Sequence, residues 1–169
     1  MKKLFLIVPM AVLATAVCFG LEDIVLRPEL SILKPLVGQT WAGEMKDPSG
    51  QMTLHLLFKY EPMHGGKVLK YYQETKELNN QNDGYVYYDP DKKEIAFLTL
   101  NSNGNFSVGN IKEEGGKILK YGYSIFPTQK LEFRNTLEIT PDGQLLDKYF
   151  RHEDGEWKPG HSAIYIAKK

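Results

Sequence analysis

From residue 38 to the C-terminus, turn-forming residues interrupt this chain at nearly regular intervals. In order, the breaks are Asp47-Pro48-Ser49-Gly50, His64-Gly65-Gly66, Asn79 to Gly84, Asp89-Pro90-Asp91, Asn101 to Asn105, Glu113 to Gly116, Pro127-Thr128, Pro141-Asp142-Gly143 and Asp154-Gly155. Nine breaks imply about ten short segments, with little room between them for a helix. Turns of the Asn-Gly and Asp-Gly kind match the twist of antiparallel hairpins, so neighbours in sequence should pair. A ribbon built only of hairpins has two exposed edges unless it curls and closes on itself. The spacing therefore predicts an all-β fold, an up-and-down antiparallel barrel of about ten strands over residues 39–169.

The first twenty residues read differently. Lys2 and Lys3 precede an apolar run from Leu4 to Val17, and Ala14-Thr15-Ala16 places small residues at a spacing that a signal peptidase reads. Residues 1–20 are expected to be a signal peptide, which places the mature protein in the periplasm or outside the cell. The apolar run falls short of the roughly 20 residues of a spanning helix, so no stable membrane span is expected. Cys18 is the only cysteine. A lipid-modified cysteine would follow a small residue, and Val17 precedes this one, which disfavours a lipoprotein. Without a second cysteine the core must stabilise the domain unaided. Removing residues 1–20 leaves nineteen basic against twenty-one acidic residues, with no basic stripe, so nucleic acid is not an expected partner.

Residues 21–38 read as a connector with a short helix. Pro28 suits a first helical position, Leu30, Leu33 and Val37 fall near a helical spacing, and Pro35 and Gly38 end the element. Beyond it the clearest strand is Gln51 to Tyr60, where Met52, Leu54, Leu56, Phe58 and Tyr60 share one face, opposite Thr53, His55 and Lys59. Glu132 to Thr140 alternates almost as cleanly, with Phe133, Asn135, Leu137 and Ile139 on one face. Other strands carry Tyr, Phe or Leu on both faces. That pattern fits a lined cavity inside a partly covered wall, and equally a filled barrel.

The chemistry-bearing residues give few constellations. None of the four histidines forms a His-x-His or helical pair. With a regular hairpin at Asp154-Gly155, Trp157 pairs with His152 and Lys148 with His161, too far apart for one metal ion; a bulge at Pro159 would flip that face. Asp89-x-Asp91 lacks the glycine and distal glutamate of a calcium loop and reads as a turn. No serine-nucleophile motif, phosphate loop or Cys–His pair is present, and no acid–base pair marks an enzyme. No metal and no cofactor are called for. Asn135, polar on an apolar face, needs a buried partner: a ligand, water or another side chain.

Gly38-Gln39-Thr40-Trp41-Ala42-Gly43-Glu44, after a helical lead-in, resembles the Gly-x-Trp opening of lipocalin-like (calycin) barrels, with one extra residue before Trp41. The layout of Gly66-Lys67-Val68-Leu69, Tyr85 to Lys93, Asn103-Gly104-Asn105-Phe106, Asp142-Gly143 and Gly155-Glu156-Trp157-Lys158-Pro159-Gly160-His161 resembles a family of exported bacterial lipocalin-like proteins. That resemblance covers nearly all of residues 29–169. It implies a closed antiparallel barrel and supplies no activity. His161-Ser162-Ala163-Ile164-Tyr165 is also distantly similar to the last strand of nitrobindin, where a histidine holds haem, which makes His161 an alternative haem ligand.

The expected function is binding of a small apolar or amphipathic molecule inside the barrel. Met52, Leu54, Leu56, Phe58, Phe133, Asn135 and Leu137 are the expected pocket residues, and Trp41 the structural residue that closes the floor under the N-terminal segment. The alternatives are a haem barrel using His161 and a filled barrel acting as an envelope interaction module through its surface.

Overall fold

The structure, a computed structural model, describes residues 24–168. The signal-peptide reading, the lipidation question at Cys18 and the start of the connector lie outside those residues.

Ten strands follow one another along the chain: β1 (Thr40–Lys46), β2 (Thr53–Met63), β3 (Val68–Thr75), β4 (Asn80–Asp89), β5 (Glu94–Asn101), β6 (Phe106–Glu114), β7 (Lys117–Ile125), β8 (Lys130–Ile139), β9 (Leu145–Glu153) and β10 (Glu156–Lys168). Each pairs antiparallel with its sequence neighbours, and β1 pairs with β10, so the barrel is closed. The closing seam sets Trp41 opposite Ala167 and Gly43 opposite Tyr165. No edge is left to template aggregation.

The turn signals predicted this architecture, with one difference. The stretch from Asn79 to Gly84, read as a turn, turns only at Asn79, whose φ of 46° is left-handed; β4 then starts at Asn80. Asn80 and Asn82 thereby become strand residues facing the interior. A polar run satisfies a strand whenever its inward side chains meet hydrogen-bond partners, and here they do: Asn101 Nδ2 donates to Asn80 Oδ1 at 2.5 Å and Asn82 Oδ1 at 3.0 Å.

The connector forms a 3-10 helix at Pro28–Leu36. Three residues per turn stack Leu30, Leu33 and Leu36 on one face. All three are fully buried against the barrel end. Arg27 N donates to Gly66 O at 3.1 Å, and its guanidinium lies 4.8 Å from the Tyr88 ring centroid, which ties the helix entrance to the β2–β3 and β4–β5 ends. Trp41 sits directly beneath, its Nε1 donating to Leu36 O at 3.2 Å and its ring stacked on Phe58. Leu69, Val86, Leu145 and Tyr165 complete this end at 1% exposure or less. Burial of each large side chain contributes about 1.5–3 kcal/mol. Among the described residues, no helix is long and apolar enough to cross a membrane.

Candidate functional site

The opposite end of the barrel is not filled. A cavity of about 380 Å³ runs from a mouth at the ends of β3, β4, β5 and β6 towards the barrel centre. Inward alternation and pairing place its walls in rows. One row crosses the sheet as Ile111, Lys120, Asn135 and Tyr149; the next is Ile118, Leu137, Asp147 and Ala163. The mouth carries Gln73, Asn80, Asn82, Asn101, Ser107 and Ser124. Their side chains bond one another, with Ser107 Oγ and Ser124 Oγ 3.0 Å apart and Tyr71 OH donating to Gln73 Oε1 at 2.9 Å.

The deep part is aromatic and charged together. Phe58, Tyr60, Tyr71, Phe133, Tyr149 and Tyr165 form its aromatic walls. Asp147 is almost wholly buried and accepts one hydrogen bond from Asn135 Nδ2 at 2.9 Å. Burial raises the Asp147 pKa, against opposing pulls from Asn135, His161 and Lys120. Burial lowers Lys120 to about 8, with the Asp147 charge pulling the other way. The Lys120 ammonium lies 4.4 Å from the Phe97 ring centroid and 4.7 Å from that of Tyr71. Burial likewise pushes up the phenols of Tyr60, Tyr71 and Tyr165, and the negative charge of Asp147 adds to each.

His161 reaches this cavity through an irregularity. Trp157 pairs with His152, but the register slips between Pro159 and Ser162, so that Ser162 rather than His161 lies opposite Lys148. One extra residue in β10 turns His161 inward. Its ring stacks on Tyr149 with centroids 4.9 Å apart and planes 6° from parallel. Gly160 makes the bulge possible, because a Cβ there would fall 2.5 Å from Tyr149 Cδ1. His161 stays open to the mouth, yet desolvation lowers its pKa, partly offset by Asp147.

Of the residues expected to line a pocket, Phe58, Phe133, Asn135 and Leu137 border the cavity. Leu54 and Leu56 are buried on the same inner face of β2, but neither borders it. Met52 departs from the expectation. It belongs to the β1–β2 turn, where its backbone N donates to Asp47 Oδ1 and its carbonyl accepts from Asp47 N, and the residue is 39% exposed. Lys120, Asp147, the three buried tyrosines and the mouth amides were not among the expected site residues. The inward row Ile118, Lys120, Gly122, Ser124 was available as a signal, but β7 carries apolar residues on both faces.

A haem on His161 would present broad apolar faces to this lining. Its propionates would pair with the Lys120 ammonium and the mouth amides, but the Asp147 carboxylate would face the ring with Asn135 as its single hydrogen-bond partner. The donor set does not fit that group. Among the described residues, no cluster of three or more His, Cys, Asp or Glu is disposed to hold a metal ion.

Fold and cavity define a closed ten-stranded antiparallel barrel, sealed at one end and open to a polar pocket at the other. The fold is similar to that of the crystal structure of Rv2717c from M. tuberculosis, with a TM-score of 0.57 and 18% identity, covering 86% of this chain and 100% of that one. No family model matches the sequence, and no curated protein matches it either.

Proposed function

We propose that this barrel binds a small amphipathic molecule in its open half, outside the cytoplasm and after loss of residues 1–20. The observation that carries this reading is the cavity itself: about 380 Å³, within the range of small-molecule sites, open at one end and lined by both rings and polar groups. A planar or apolar portion would lie against Phe58, Phe133 and Leu137. A polar end would bond Lys120 and the hydrogen-bonded Asn135–Asp147 pair, which face the same space. A wholly apolar guest would leave those groups unpaired and is disfavoured on that ground.

Native mass spectrometry of the protein drawn from the envelope of its own cells tests the proposal. The expected species is a chain shortened near residue 20 that retains a small molecule, and Asn135→Leu releases the molecule. A full-length chain starting at Met1 would contradict export. A processed chain that carries nothing, and takes up nothing from an amphipathic small-molecule library, would contradict the binding function.

A further inference from the structure

We propose that Lys120 is a nucleophilic amine that captures a small aldehyde or ketone in the cavity as a Schiff base. The proposal rests on the ligand-binding reading of the same cavity and goes beyond it, since it names a reaction and a ligand class.

Position comes first. Lys120 lies in the middle of β7, opposite Asn135, with its side chain in the inward row that crosses the cavity wall. Some surface lysines of this barrel meet carboxylates: Lys59 meets Glu61 at 2.8 Å, Lys117 meets Glu138 at 2.7 Å and Lys158 meets Asp154 at 2.7 Å. Lys120 has no such ion pair and no side-chain hydrogen bond among the described residues; two aromatic rings cover it instead. No fully enclosed side-chain nitrogen or oxygen lacks a partner among the described residues, so the unbonded Nζ must face open space. An incoming molecule can reach it.

Chemistry follows from surroundings. An ammonium held out of water gives up its proton more readily than a solvated one, and its value of about 8, with the Asp147 charge pulling the other way, leaves roughly a tenth of the amine neutral at pH 7. The other titratable groups bordering the cavity are Asp147, His161, Tyr60, Tyr71, Tyr149 and Tyr165. Asp147 is the acid suited to the dehydration. Asn135 occupies one of its oxygens, and burial favours its protonated form.

The neutral amine adds to the carbonyl carbon, forming the C–N bond as the C=O π pair moves to oxygen. A proton passes from nitrogen to that oxygen, giving a carbinolamine. Protonation of the hydroxyl by Asp147 breaks the C–O bond and releases water, the nitrogen lone pair closes the C=N bond as an iminium, and its N–H proton returns to the Asp147 carboxylate to leave the imine. The sum is amine plus carbonyl to imine plus water, with no oxidant or reductant. Flat conjugated carbonyl compounds suit the aromatic walls best.

The test mixes the protein with cinnamaldehyde, traps with borohydride and maps the adduct by peptide mass spectrometry. Cinnamyl alcohol, which binds without reacting, runs in parallel by calorimetry. The expected result is one adduct per chain on the Lys120 peptide, formed at least about tenfold faster than on any surface lysine and slowing below pH 8. Lys120→Arg keeps the cation and abolishes the adduct. Asp147→Asn slows trapping. Adducts spread evenly over surface lysines, with the alcohol still bound, would overturn the amine proposal alone. Failure of both compounds to bind would remove the cavity reading and this proposal with it. Adduct mapping on the unmodified chain separates these outcomes even if a variant does not fold.

Discussion

The two ends of this barrel are built from the same strands and solve opposite problems. At the sealed end, Leu30, Leu33, Leu36, Leu69 and Leu145 reach complete burial around Trp41, and the lone indole N–H is satisfied by the Leu36 carbonyl. At the open end, the inward positions of β3 to β7 change to Gln73, Asn82, Asn101, Ser107 and Ser124. Between them sit Lys120 and Asp147, enclosed enough to shift their proton affinities and open enough to meet a guest. Alternation alone builds a barrel. The exchange of leucine for asparagine along the same inward rows makes one half a floor and the other a pocket. Apolar burial is therefore concentrated at one end, and polar and titratable side chains at the other.

The largest expected effect tests the floor. Trp41→Ala removes the ring that stacks on Phe58 and holds the 3-10 helix, and should cost about 3–5 kcal/mol in urea unfolding. A loss below about 1 kcal/mol would mean that the sealed end is not where this fold is stabilised.

A smaller effect of opposite sign is expected in the middle. Lys120 has a folded pKa of about 8, below its ordinary 10.5, so between those values the unfolded chain binds the extra proton. Stability of the native sequence should therefore rise with pH through that window. Lys120→Met should stabilise the protein by about 1–3 kcal/mol at pH 7, and the gain should fade as pH approaches 10.5. Urea titrations at a series of pH values check both statements. A destabilised variant at pH 7 would mean that the ammonium has a partner that holds it.

The smallest effect lies at the mouth. Asn101 bridges Asn80 and Asn82 at a rim that water can reach, so Asn101→Ala should change stability by less than about 1 kcal/mol. The same substitution should weaken retention of any bound molecule. A large loss of stability would show that the rim is a structural belt rather than an entrance.

The contrast also explains what the sequence made legible. Turn residues act locally, so nine breaks and a closed ribbon could be read from order alone. The floor was readable because its residues are apolar and spaced for one face. The pocket was not, because an inward asparagine or lysine looks in sequence like an outward one. Asn80 and Asn82 were hidden in a stretch that looked like a turn, and Lys120 in a strand apolar on both faces. His161 turns inward through a one-residue slip at Pro159 that pairing arithmetic admits but does not require. Met52 erred the other way, since alternation carried the strand two residues beyond its start at Thr53.

The most direct test of a half-filled barrel with a desolvated charged centre is an NMR titration of the Lys120 side chain. The expected midpoint lies near 8, set by burial against the Phe97 and Tyr71 rings. A midpoint at the ordinary 10.5 would place that ammonium in bulk water and contradict the enclosed pocket.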